Sequence, residues 1–169
     1  MIIVASCPHT GSHFAVNTIG LPLRNWDRGG VSAQNLYHVY SGESLEIIKR
    51  GAREGATLVV PMRHPMAVAQ SWANRGKPIA EHPVHEPMIK LFRNLIEHVV
   101  PLNPLYLPVD VPNRDKYLRA LSDVVGRELK TDWAPASHHE IAPAKLFDDD
   151  IAAVHELLRD PFFEEFKYA

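Results

Sequence analysis

The run Ala56–Met62, followed at once by Arg63-His64-Pro65, constrains the fold more than any other part of the chain. Thr57, Val59 and Val60 give it the β-branched content of a buried strand, and Pro65 suits the first position of a helix, where its missing N–H is not needed. The stretch through Ser71 therefore reads as a strand, a tight turn at Arg63 and His64, and a helix reaching about Arg75, stopped by Gly76-Lys77-Pro78. Met1–Ser6 is a second strand-like run. It leads into the loop Cys7-Pro-His-Thr-Gly-Ser-His-Phe14 and a helix through Ala15 to Thr18. Junctions of this kind aim backbone N–H groups and the positive end of a helix dipole at whatever binds outside the strand. Arg63 adds a permanent cation and Ser71 a hydroxyl, so the pair suits a phosphate. The alternative is that Arg63 caps a sheet edge and Ser71 is an ordinary helix residue. The first loop is not a Walker A loop, because it contains no lysine and lacks that spacing.

Further elements alternate in the same way. Leu21–Val31, with Pro22, Gly29 and Gly30, reads as a loop whose Arg24, Trp26 or Arg28 could touch a substrate. Gln34–Tyr40 reads as a strand with His38 near its carboxyl end, and Ser41 as the cap of a helix over Glu43–Arg53. Met88–Val100 has an amphipathic helical pattern, and Leu105–Val111 reads as a further strand in which Pro108 favours an edge or a bulge. Asn113 caps a helix to about Val125 that carries Tyr117, Leu118, Leu121, Val124 and Val125 inward and stops at Gly126. Asp148–Leu158 is a last helix, and Pro161–Tyr168 an aromatic segment that docks on the core or on a partner. This succession predicts one three-layer α/β/α domain over residues 1–169 with a mostly parallel sheet.

Composition narrows the function. A length of 169 residues with 46% hydrophobic content is enough for one core, and a net charge of -2 gives no basic face for nucleic acid. The single cysteine, Cys7, excludes an internal disulfide and reads as a small buried filler. The first apolar run is too short for a signal peptide and nothing approaches a membrane span, so the expectation is a cytoplasmic protein without a membrane partner. The pairs His82/His85 and His138-His139-Glu140 lack the three or four fixed ligands of a zinc site and read as solvated loops, so no metal is expected.

Pro8-His-Thr-Gly-Ser-His-Phe14 resembles the 5'-phosphosulfate loop of the sulfotransferases that use 3'-phosphoadenosine 5'-phosphosulfate (PAPS), usually Pro-Lys-Ser-Gly-Thr-Thr-Trp. Arg63-His-Pro65 through Ser71 resembles their 3'-phosphate motif, Arg-Asp-Pro with a serine eight residues after the arginine. The order of the motifs and their separation of about fifty residues also fit that family. The resemblance implies a P-loop-like sulfotransferase architecture in which Thr10, Gly11, Ser12 and His13 hold the 5'-phosphate, Phe14 packs near adenine, and Arg63 and Ser71 take the 3'-phosphate. It implies that His38, after Tyr37, is the general base, and that His9 stands where the family has the lysine that acts on the leaving group. A histidine is charged only in part near neutrality, so His9 predicts slower or acid-favoured turnover, or none. Asp110 matches the aspartate of a Glu-Asp-Leu strand end, with Val109 in place of glutamate. A late Arg-Lys-Gly motif has no counterpart. The expected acceptor is a small molecule or carbohydrate offering a hydroxyl or amine.

Two other readings stay open. One is a non-catalytic nucleotide-binding or interaction module of the same fold. The other is a P-loop kinase-like phosphotransferase in which Asp110 would hold magnesium. His38 itself has a structural alternative, a strand histidine satisfied by a backbone carbonyl.

Overall fold

The computed structural model describes residues 1–21, 23–24, 32–33, 35–39, 42–75, 85–111, 113–129 and 146–168. Strand β1, Ile2–Ser6, enters helix α1, Ser12–Ile19; a short hairpin of β2, Leu23–Arg24, and β3, Ser32–Ala33, precedes strand β4, Leu36–His38. Helix α2, Gly42–Arg53, leads to β5, Thr57–Met62, and α3, Pro65–Arg75. Helix α4, His85–Asn94, continues into a π turn over Leu95–Val99 and a 3-10 turn over Val100–Leu102. Strand β6, Leu105–Pro108, α5, Arg114–Val125, α6, Asp148–Leu157, and a 3-10 segment over Pro161–Phe166 complete the order.

Strands β4, β1, β5 and β6 form, in that spatial order, a parallel sheet. Alternation along β1 and β5 builds the layers. Ile3 and Ala5 of β1, with Leu58, Val60 and Met62 of β5, face a core shared with Leu45 and Ile48 of α2, Val68 of α3, Phe92 of α4 and Val154 of α6. Val4 and Val59 point the other way, against Phe14, Ala15 and Ile19 of α1 and Leu118 and Leu121 of α5. Helices thus cover both faces, which is the only way strands so apolar on both sides can be buried.

The expected α/β class and parallel sheet are present. Several boundaries differ from the sequence pattern for identifiable reasons. The loop expected over 21–31 contains the paired backbone of Leu23–Arg24, whose partner is Ser32–Ala33. Helix α4 begins three residues earlier than Met88 because Pro87 falls in its first turn, where no N–H is needed. Its far end is not α-helical: Pro101 cannot donate to the carbonyl of Glu97 and its ring crowds that carbonyl, and Val100 donates instead to Leu95 through a widened turn. On α5, Val124 is 50% exposed and lies off the stripe formed by Tyr117, Leu118 and Leu121. Asn113 precedes α5 but makes no side-chain cap, whereas Gly126 ends the helix at φ 71°. Ser41, Trp26, Arg28, the stop at 76–78, His82 and the 138–140 cluster lie outside the described residues. Among the described residues no helix is long and apolar enough to cross a membrane.

The aromatic segment docks on the chain's own core. Phe163 is fully buried, its ring 5.8 Å from that of Phe92, while Phe166 meets Tyr106, Tyr117 and Phe162. Truncating Phe163 to alanine removes the centre of this cluster and is expected to lower stability by about 3–5 kcal/mol. Denaturant unfolding reads that loss; a change below about 1 kcal/mol would mean that the segment adds little to the core.

Candidate functional site at the carboxyl end of the sheet

Because all four strands of the main sheet are parallel, Ser6, His38, Met62 and Pro108 end at the same edge. The chain leaves β1 toward β4 on one side, and leaves β5 toward β6 on the other. The crevice between the β1–α1 and β5–α3 loops is therefore a topological switch point, the place where open α/β sheets bind ligands. Both motifs singled out in the sequence border this crevice.

The first loop is shaped by two left-handed residues. Cys7-Pro8-His9-Thr10 is a turn in which the Thr10 N–H donates to the Cys7 carbonyl at 3.4 Å, with Pro8 second and His9 third at φ 67°. That third position needs positive φ, which histidine adopts more readily than most residues but still at some strain. Gly11 follows at φ 104° as the N-cap of α1, and an added Cβ would stand 2.5 Å from Cγ2 of Val109. The first intrahelical bond, Ala15 N–H to the Gly11 carbonyl, leaves the amides ahead of it, that of Ser12 included, outside the helical ladder and facing the crevice end.

The hydroxyls expected to hold a phosphate face inward. Thr10 is fully buried and donates to the Cys7 carbonyl at 2.6 Å. Ser6 donates to the same carbonyl at 2.8 Å, so the proton of the Ser6–Ser12 contact belongs to Ser12. In this state Thr10 and Ser12 stiffen the loop, and a ligand here meets backbone N–H groups first. Phe14 is 3% exposed and belongs to the core beneath α5, with the Arg114 guanidinium 5.4 Å above its ring. His13 is exposed on the first turn of α1. Burial pushes the Cys7 thiol far above its ordinary range, consistent with a filler and not a nucleophile.

His9 joins the first loop to helix α3. Its Nδ1 lies 2.9 Å from the Ser71 hydroxyl, and its ring stacks on Trp72 with centroids 5.4 Å apart. Residues that the resemblance sets at the leaving group and at the 3'-phosphate of one nucleotide are thus neighbours. Trp72 escaped the sequence reading as a site residue; its position directly after Ser71 was the available signal.

His38 lies opposite Ser6 in the β1–β4 register, and its Nδ1 is 3.3 Å from the Ser6 carbonyl. A carbonyl only accepts, so Nδ1 carries the proton and Nε2 carries the lone pair. Burial holds the pKa of His38 below its ordinary value, partly offset by this hydrogen bond. The structural role and the neutral, oriented form that a base requires coexist in one residue. Asn94 donates to the Val39 carbonyl at 3.0 Å and ties α4 to the end of the same strand.

Arg63 is half-buried at the β5–α3 turn. His64 caps α3, since its Nδ1 accepts the Met66 N–H at 3.0 Å, and an aspartate would use a carboxylate oxygen in the same way. The His64 backbone N–H donates to Oδ2 of Asp110 at 2.9 Å, and Oδ1 of Asp110 accepts the Tyr168 hydroxyl at 2.8 Å. Among the described residues no group of three or more His, Cys, Asp or Glu side chains is arranged to hold a metal ion.

No protein-family model, curated protein or solved structure matches the chain. The functional reading therefore rests on this geometry and on the two motifs. Replacing Gly11 by alanine tests the loop. The left-handed backbone should cost about 1–2 kcal/mol and the contact with Val109 about 1–3 kcal/mol more, lowering the unfolding temperature by several degrees. An unchanged unfolding temperature would mean that the loop does not need this backbone.

Proposed function

We propose that this chain is a PAPS-dependent sulfotransferase acting on a hydroxyl or amine of a small-molecule or carbohydrate acceptor. One observation carries the reading: the 5'-phosphosulfate-like loop and the 3'-phosphate-like motif meet beside the switch point through the 2.9 Å contact of His9 with Ser71 of α3. A single nucleotide phosphorylated at both ends would span such a pair. The α1 N-terminus, with the amides of Gly11, Ser12 and His13, would hold the 5'-phosphate, and Arg63 and Ser71 the 3'-phosphate.

In the transfer, the acceptor oxygen or nitrogen attacks sulfur in line and its proton passes to Nε2 of His38. The bond between sulfur and the bridging oxygen breaks, and 3'-phosphoadenosine 5'-phosphate departs with the electron pair. Amides at the helix N-terminus and the His9 imidazole stabilise the charge that develops on that oxygen. The placement of His38 supports this role: its Nδ1 is engaged by the Ser6 carbonyl, which fixes the ring at the carboxyl end of β4.

A non-catalytic nucleotide binder is favoured by one observation, the inward bonds of Thr10 and Ser12. The kinase reading is weakened because the β1–α1 loop lacks the Walker lysine and its Ser/Thr neighbour.

Transfer of a labelled sulfuryl group to phenol, sugar and amine panels tests the proposal. His38→Asn, which keeps a donor for the Ser6 carbonyl, is expected to lose about 10²–10⁴-fold in turnover while still binding nucleotide. Protonation of His38 removes the base, so the acid limb of the activity should fall below pH 6.5, because burial lowers its pKa from that value. Nucleotide binding with no transfer to any acceptor would favour the binder. Magnesium-dependent phosphoryl transfer from ATP would favour the kinase.

A further inference from the structure

The residue that shapes the Arg63 turn most closely comes from the far end of the chain. Tyr168 is 6% exposed and is held at two points: its hydroxyl donates to Oδ1 of Asp110 at 2.8 Å, and its carbonyl lies 3.0 Å from Nε2 of His64. Because Nδ1 of His64 accepts the Met66 N–H, Nε2 carries the proton and donates to that carbonyl. The His64 amide returns to Asp110 at 2.9 Å and closes a circuit through three elements, the β5–α3 turn, the β6–α5 loop and the aromatic segment. The His64 and Tyr168 rings also meet edge to face, 5.2 Å between centroids.

Arg63 stands beside this circuit, close enough for its charge to act on the Tyr168 phenol, as does the charge of Asp110. Among the described residues, nevertheless, no carboxylate forms an ion pair with Arg63. The nearby carboxylate is occupied, one oxygen by an amide and the other by the phenol. Burial and the Asp110 charge push the Tyr168 hydroxyl far above its ordinary range, so it remains a donor.

We infer that Tyr168 is a positioning residue of the Arg63 anion site: its hydroxyl holds Asp110 against the His64 amide, prevents the carboxylate from neutralising Arg63, and leaves the guanidinium to a phosphate. This rests on the nucleotide reading above and makes discrimination for a 3'-phosphate depend on residue 168. Loss of the hydroxyl frees Oδ1 of Asp110 to turn to Arg63. A neutral side chain at position 110 would not compete in this way.

The test compares dissociation constants for 3'-phosphoadenosine 5'-phosphate and adenosine 5'-phosphate by calorimetry in the full chain, Tyr168→Phe, Asp110→Asn and the double variant. Tyr168→Phe keeps the buried ring and should fold. It is expected to weaken the 3'-phosphorylated nucleotide about tenfold, the scale of one charge-assisted hydrogen bond, while the other nucleotide changes by less than about twofold. In the Asp110→Asn background the same change should cost nothing further, a coupling that general loosening of the fold would not produce. Equal weakening of both nucleotides, no weakening, or additive losses in the double variant would overturn the role of Tyr168 while leaving the nucleotide reading in place. Equal affinity of the wild-type chain for the two nucleotides would overturn the nucleotide reading and this inference together.

Discussion

Parallel pairing of β1 with β5, with their connections leaving in opposite directions, is the constraint on which the site depends. It sets the Cys7–Phe14 loop and the Arg63–His64 turn side by side and opens a crevice between them. It also sends helices to both faces, which buries Ile3 and Ala5 on one side and Val4 on the other. The hydrophobic demand of the strands and the placement of the polar groups therefore have one origin. Apolar strands must be covered on both faces, and the covering helices leave their N-termini at the open edge.

What lies in that crevice combines contacts within the first loop with one contact that reaches α3. The loop over Cys7–Gly11 is fixed by two left-handed residues, by the packing of Val109 and by inward hydroxyl bonds. His9 is different in kind, since its contact with Ser71 joins two groups that a doubly phosphorylated nucleotide would engage separately. Its exchange for the lysine of the resembled family removes a permanent charge from this position. Beside the neighbouring cation, Arg63, the carboxylate of Asp110 accepts its hydrogen bonds from the His64 amide and the Tyr168 hydroxyl. Anion binding as proposed for this edge would thus rest on how carboxylate and phenol are engaged as much as on the positive charge itself.

Local pattern made much of this legible. The β-branched run and Pro65 located β5 and α3 closely, and the position of His38 at a strand end followed from the aromatic and β-branched content around it. What local pattern could not supply were the contacts between distant segments. The turning of His9 onto Ser71 and Trp72 spans 62 residues, and the bond of His64 to Tyr168 spans 104. The inward orientation of Thr10 and Ser12 depends on Ser6, which reads in sequence only as the end of a strand. Phe14 was expected near adenine, but its side chain is claimed by the core under α5. The expected start at Met88 missed the first turn of α4, which holds Pro87, because proline is excluded from helix interiors and not from their beginnings.

The most direct test of the central claim is the shift in unfolding temperature with 3'-phosphoadenosine 5'-phosphate, set against ATP with magnesium, for the wild-type chain and Arg63→Ala. At about a hundredfold excess over the dissociation constant a bound ligand stabilises by roughly 2.7 kcal/mol, a shift of several degrees. The account predicts that shift for the 3'-phosphorylated nucleotide and its loss in Arg63→Ala. A shift with ATP and magnesium alone, or none with either nucleotide, would contradict it.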